Sequence, residues 1–112
     1  MGAKANKETL TMNCESKDPT EIELRAEICA SWGYGDKVSS LKEFASFLTE
    51  KGYNAKISFE PKSGGNGEFF LFQEKDGKST AIFSNNKKHS ETAFVQSKLN
   101  KTNYGEILGR IV

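Results

Sequence analysis

The sequence predicts an α/β fold in the order β-α-β-β-β-α, a four-stranded mixed sheet with two main helices, and three observations carry that reading. Ile22, Leu24, Ala26 and Ile28 alternate with Glu23, Arg25 and Glu27, the period of a strand with one buried face. Val38, Leu41, Phe44, Ala45 and Leu48 then recur at helical spacing, and a second alternating run of Tyr53, Ala55, Ile57 and Phe59 follows Gly52. Finally, Lys75-Asp76-Gly77 separates two apolar runs and carries the Asp-Gly signal of a tight hairpin.

Each element follows from local residue choice. Residues 1–20 are rich in Lys, Glu, Asn, Thr and Ser, with Leu10 and Met12 the only large apolar side chains after Met1, so a flexible N-terminal tail is expected before a domain at 21–112. The strand from Ile22 runs straight into Cys29. Gly33 and Gly35 break regularity, Asp36 is a candidate helix N-cap, and Gly52 stops the helix. A helix joining two strands predicts a parallel βαβ unit, ended by Pro61 and the run Gly64-Gly65-Asn66-Gly67. Phe69–Phe72 form a dense apolar strand whose antiparallel partner is Ala81-Ile82-Phe83. Ser90 as cap and Glu91 in the first turn predict a second helix through Ala93, Phe94, Val95 and Leu99; Tyr104, Ile107, Leu108 and Ile111 either extend it or pack as a short separate turn. This order is the minimal thioredoxin-like layout.

Charge and composition exclude several functions. Sixteen basic and fifteen acidic residues leave a net charge of +1, against the strongly basic face of a general nucleic-acid binder. No run of about 18 apolar residues exists for a membrane span. Two cysteines in separate contexts fit a reducing compartment, so a cytoplasmic location is expected. His89 has no Cys or His at metal-ligand spacing and reads as a surface imidazole beside the solvated pair Lys87 and Lys88, so no metal is expected. The glycine run lacks a phosphate-loop pattern and reads as a connecting turn.

The chemistry concentrates at Ile28-Cys29-Ala30-Ser31-Trp32-Gly33-Tyr34-Gly35. A Cys-x-x-Cys loop between a strand and a helix works because one thiolate attacks a disulfide and the second thiol resolves the product, and the helix start favours the thiolate. Here Cys29 supplies the first thiol, while Trp32 occupies the place of the second and cannot exchange thiols. Ser31, Gly33, Tyr34 and Gly35 shape the loop. Together with Gly67-x-Phe69-x-Leu71 and Ile82-Phe83-Ser84, the segment resembles the Rdx family, the selenoprotein W-like and selenoprotein T-like proteins of thioredoxin fold. The likeness spans about residues 22–100. It departs from the family at Trp32, where selenocysteine or cysteine is usual, and in lacking Gly or Pro between Phe83 and Phe94. Trp32 is either a genuine tryptophan or a reading of a UGA codon.

Two functions follow. The resemblance implies a thiol-based redox protein with Cys29 as attacking or glutathionylated thiol, no tightly bound cofactor, and glutathione or protein thiols as partners. Its loop position is expected to leave Cys29 accessible. Cys14, fifteen positions earlier, is either an exposed tail thiol or a distant resolving thiol. The alternative is a redox-silent module that binds a protein partner through the surface of Trp32 and Tyr34, residue types frequent at interface centres.

Overall fold

The computed structural model of the chain describes residues 8–30, 33–62 and 67–112. Its elements are β1 (Glu8–Met12), β2 (Thr20–Cys29), α1 (Tyr34–Glu50), β3 (Tyr53–Lys62), β4 (Phe69–Lys75), β5 (Lys78–Ser84), β6 (Phe94–Val95) and α2 (Tyr104–Leu108). The described strands form one mixed sheet of six, in the order β1-β3-β2-β4-β5-β6, rather than the four expected. β2 and β3 pair in parallel over their full length, from Thr20 beside Tyr53 to Cys29 beside Lys62, as the helix between them requires. β4 runs antiparallel to both β2 and β5.

The alternation read from the sequence sorts the two sheet faces. Leu24, Ala26 and Ile28 of β2, Ala55, Ile57 and Phe59 of β3, and Phe69 and Leu71 of β4 belong to the main core, where Leu41, Phe44, Ala45 and Leu48 of α1 pack. The intervening residues of β4 supply a second, smaller core: Phe70 and Phe72 lie with Ala81 and Ala93. His89 closes over that second core, its ring edge-on to Phe70 and Phe72 at 4.9 and 5.1 Å. The Arg25 guanidinium lies 4.3 Å from the Phe72 ring centre and pairs with Glu27 and Glu74. The Asp76-Gly77 turn has φ of 54° and 77°, the left-handed pair that a two-residue hairpin demands.

Three expectations are corrected. Residues 8–12, assigned to the flexible tail, form the edge strand β1, antiparallel to β3, with Leu10 and Met12 packed against the main core. No helix begins at Ser90. The N–H groups of Thr92 and Ala93 both donate to His89 O, a single turn that stops because its apolar residues serve opposite faces. Ala93 joins the second core, while Phe94 leans on the main one and pairs with Phe83 as β6. A helix carries one apolar stripe, so a segment feeding both faces must be extended or turned. Consequently the second helix is the five-residue α2, which places buried Tyr104 and Ile107 on the core. The third correction concerns the start of α1: its N-cap is Gly33 at φ 80°, and Asp36 lies inside the first turn, where a carboxylate still favours the helix dipole.

Gln73 is the one buried glutamine of β4, and its amide is satisfied at both ends: Nε2 donates to Val112 O at 2.8 Å and Oε1 accepts from Val112 N–H at 3.0 Å. That reciprocal pair ties residue 112 to the middle of the sheet.

Candidate functional site

The sequence-predicted site falls at the corner where β2 gives way to α1. Cys29 is the last residue of β2 and is 4 % exposed. Both neighbouring strands hold it: its N–H donates to Glu68 O at 2.8 Å, and the next N–H, of Ala30, donates to Lys62 O at 2.8 Å. The accessible loop thiol expected from the sequence is therefore corrected to a buried strand residue. The physical reason is register, because pairing continues one position past Ile28 and draws Cys29 into the sheet. Strand alternation puts Cys29 on the face of Arg25 and Glu27, opposite Ile28 and the main core.

Ser31 and Trp32 lie outside the described residues. Gly33 holds the left-handed conformation that starts α1, and a Cβ there would come 3.2 Å from Lys37 Nζ. The backbone conformation alone favours glycine, since the amine end of Lys37 can move aside. Tyr34 is half-buried at the first position of α1, and burial, helped by the carboxylate of Glu8, raises its phenol above the ordinary pKa. Gly35 is exposed in the first turn with open space around it.

Cys14 does not belong to this corner. Its N–H donates to Asn54 Oδ1 at 2.8 Å near the start of β3, whereas Cys29 pairs with Lys62 at the other end of that strand. Eight strand positions at roughly 3.3 Å each separate the two ends by about 26 Å. A disulfide needs Cα atoms about 5–6 Å apart. Cys14 as a resolving thiol for Cys29 is incompatible with this arrangement, and no disulfide joins the two.

Residues that sequence reasoning missed complete the corner. Asn85, just past β5, accepts a hydrogen bond from Phe69 N–H at 3.0 Å and donates to Gly67 O at 2.7 Å, while its own N–H donates to Phe69 O at 3.1 Å. It staples the start of β4 to the end of β5. Beside it Glu68 pairs with Lys88 Nζ at 2.9 Å and accepts from Asn86 Nδ2 at 3.3 Å. The bond from Lys88, opposed by burial and aided by Asn86 and His89, holds the Glu68 carboxyl below the usual range. Lys88, read from sequence as a solvated cation, therefore has a partner twenty residues earlier. Only the polar spacing Asn85-Asn86 after a strand hints at such a staple.

A cavity of about 510 Å³ opens beside this corner. The first half of α1 supplies Asp36, Lys37 and Ser40 on one side, Lys98 and Asn100 stand on the other, and Phe69 and Asn85 also line it. Both signs of charge meet around one aromatic ring, a surface able to hold a polar chain with an apolar anchor. Farther along α1, Tyr104 packs on Phe44 and Phe47 at 5.3 and 5.2 Å between ring centres. Its hydroxyl is buried with no hydrogen-bond partner among the described residues, and burial, followed by Glu43, raises its pKa. Among the described residues no group of three or more His, Cys, Asp or Glu side chains could hold a metal ion, and no helix is long and apolar enough to cross a membrane.

No family model, curated protein or solved structure matches this chain. What the fold and the site define is a class: an α/β domain with a mixed sheet, one long helix on its main core, and a cavity of mixed charge and apolar surface where the second strand turns into that helix.

Proposed function

We propose that the chain is a thioredoxin-like domain of the Rdx type that serves as a protein-binding module, its contact surface formed by the corner between β2 and α1. The fold half of this reading is supported by the four central strands, β3-β2-β4-β5, with the first pair parallel and the other two antiparallel, joined by a helix between β2 and β3. β1 and β6 are additions at the two edges. The resemblance at Ile28–Tyr34 supports the same assignment.

One observation favours binding over thiol exchange: Cys29 is buried at a strand end paired on both sides. An attacking thiolate must reach its target and be stable as an anion, and burial opposes both. With Trp32 at the second position and Cys14 at the far end of the sheet, neither sequence nor geometry supplies a resolving thiol. The mixed-charge cavity with Phe69 in its lining suits a partner's polar segment carrying an apolar side chain.

The redox reading keeps one supporting observation, that a seventeen-residue helix, whose N-terminus is the end that favours an anion, starts five positions after Cys29. The experiment uses Cys14→Ser, so that Cys29 is the only thiol, incubated folded with oxidised glutathione. The binding reading expects no mixed disulfide on the timescale in which the urea-unfolded chain is fully converted. Conversion of the folded chain at a comparable rate would replace it with a monothiol redox function.

A further inference from the structure

The two edges of the sheet are built differently. β6 is two residues long, and short edge strands offer little to pair with. β1 has five residues, Glu8-Thr9-Leu10-Thr11-Met12, with no Pro, no Lys and no bulge in its register with β3. Among the described residues, no strand pairs with its outer side. Its side chains sort cleanly: Leu10 and Met12 pack partly buried against the main core, while Thr9 and Thr11 are exposed, opposite Ser58 and Lys56 of β3. An uncapped edge of this kind is a template for another strand.

We propose that β1 is a dimerisation edge and that its partner is β1 of a second copy, antiparallel, about a two-fold axis at Leu10. The sequence of the strand is self-complementary in that register. Glu8 meets the partner's Met12, so neither acidic side chain faces the other. Thr9 meets the partner's Thr11 twice over, a β-branched cross-strand pair of the sort that stabilises antiparallel sheets. Leu10 meets its own copy on the core side, where both are incompletely covered by their own protomers. Full overlap of the five residues occurs only in this register, since any shift leaves residues unpaired. The axis runs normal to the sheet, which reverses the strand and keeps both main cores on one side of the joined sheet. The interface is isologous and makes two sheets of six into one continuous sheet. It uses none of the residues that line the cavity at the corner of β2 and α1, so it stands apart from the binding reading above.

Two double variants test it because they differ only in the charge placed at position 9. In T9E/T11E the register sets the carboxylate introduced at position 9 of each copy against the one at position 11 of the other, two like-charge pairs. In T9K/T11E the same register makes two ammonium–carboxylate pairs. Both variants place a carboxylate at position 11, opposite Lys56 of the same chain, so both keep a favourable pair with β3 and both should fold. Sedimentation equilibrium of the full chain from micromolar to millimolar concentration is expected to show a reversible monomer–dimer equilibrium. The dimer dissociation constant of T9K/T11E should lie at least about tenfold below that of T9E/T11E, with the unsubstituted chain between them. Raising the salt should narrow the gap. A chain that stays monomeric to about 1 mM overturns the proposal, and so do two variants that dimerise equally, which would put the interface elsewhere. Circular dichroism of each variant, matching the parent, confirms that a lost dimer is not a lost fold.

Discussion

Cys14 and Cys29 sit at opposite ends of the same pair of strands, and those ends are built in opposite ways. At the Cys29 end, strands on both sides of β2 capture the backbone, Asn85 staples the neighbouring turn, and the thiol is 4 % exposed. At the Cys14 end, the residue is half-buried in the connection from β1 to β2, held by one backbone bond to Asn54 and lining a cavity of about 500 Å³ with Met12, Ser46 and Thr49. The redox-like motif surrounds the sulfur that is packed away, and the sulfur near the surface has no motif. Sequence context and exposure have come apart, because a motif specifies neighbours along the chain while burial is set by neighbours across the sheet.

The comparison breaks most plainly in the rates at which the two thiols react. A small maleimide should modify Cys14 at least about 100-fold faster than Cys29 in the folded chain, since reaching Cys29 requires an opening that costs several kcal/mol at about 1.4 kcal/mol per tenfold. Peptide mass mapping of brief labelling gives both rates in one sample. Equal rates would mean that the β2 end opens far more readily than its hydrogen bonds imply.

Phe69→Ala attacks the packed end from beneath. Phe69 is 2 % exposed, meets Phe83 edge-on with ring centres 5.4 Å apart, and lines the cavity at the corner. Truncation should cost about 3–5 kcal/mol in urea unfolding. It should also raise Cys29 labelling while leaving Cys14 labelling in the folded population unchanged.

A milder cut tests the staple alone. Asn85→Ala removes the acceptor for Phe69 N–H and the donor to Gly67 O, at an expected cost of about 1–3 kcal/mol. Hydrogen exchange at Phe69 and Cys29 should accelerate more than at Asn54 or Cys14. Uniform acceleration would show that the two ends open together and that the contrast between them is only static.

Legibility in the sequence varies by element. β2, α1 and β3 announce themselves because each repeats one period long enough to bury one face, and the hairpin of β4 and β5 because two dense apolar runs, buried on both faces, flank Asp76-Gly77. β1 is hidden because five residues with two apolar side chains resemble a polar tail until β3 is beside them. The segment 90–99 misleads for a subtler reason: Ala93, Phe94 and Leu99 suggest a helical stripe, yet they reach different cores. At the corner, Cys29, Gly33 and Tyr34 can be picked out along the chain, but the burial of Cys29 depends on Glu68 and Lys62 across the sheet. Asn85, Glu68 and Lys88 cannot be paired without the tertiary fold, since partners eighteen or twenty residues apart carry no local signature.

The smallest expected effect is electrostatic and concerns the same corner. Glu68 titrates below its ordinary value because Lys88 donates to it, so its charged form is favoured by folding. A depressed folded pKa contributes stability that is fully present above the unfolded carboxylate value of 4.5 and is lost as pH falls through the lower folded value. The side chains are 24 % and 65 % exposed, so solvent screening limits the pair to about 0.5 kcal/mol. Lys88→Met removes the cation and keeps an unbranched stem. Urea unfolding of parent and variant should therefore differ by that amount at about pH 6 and converge at about pH 2.5, with the gap reduced by added salt. A gap that persists in acid would show that Lys88 acts through packing of its stem rather than through charge, and the corner would then owe its closure to Asn85 and the strand register alone.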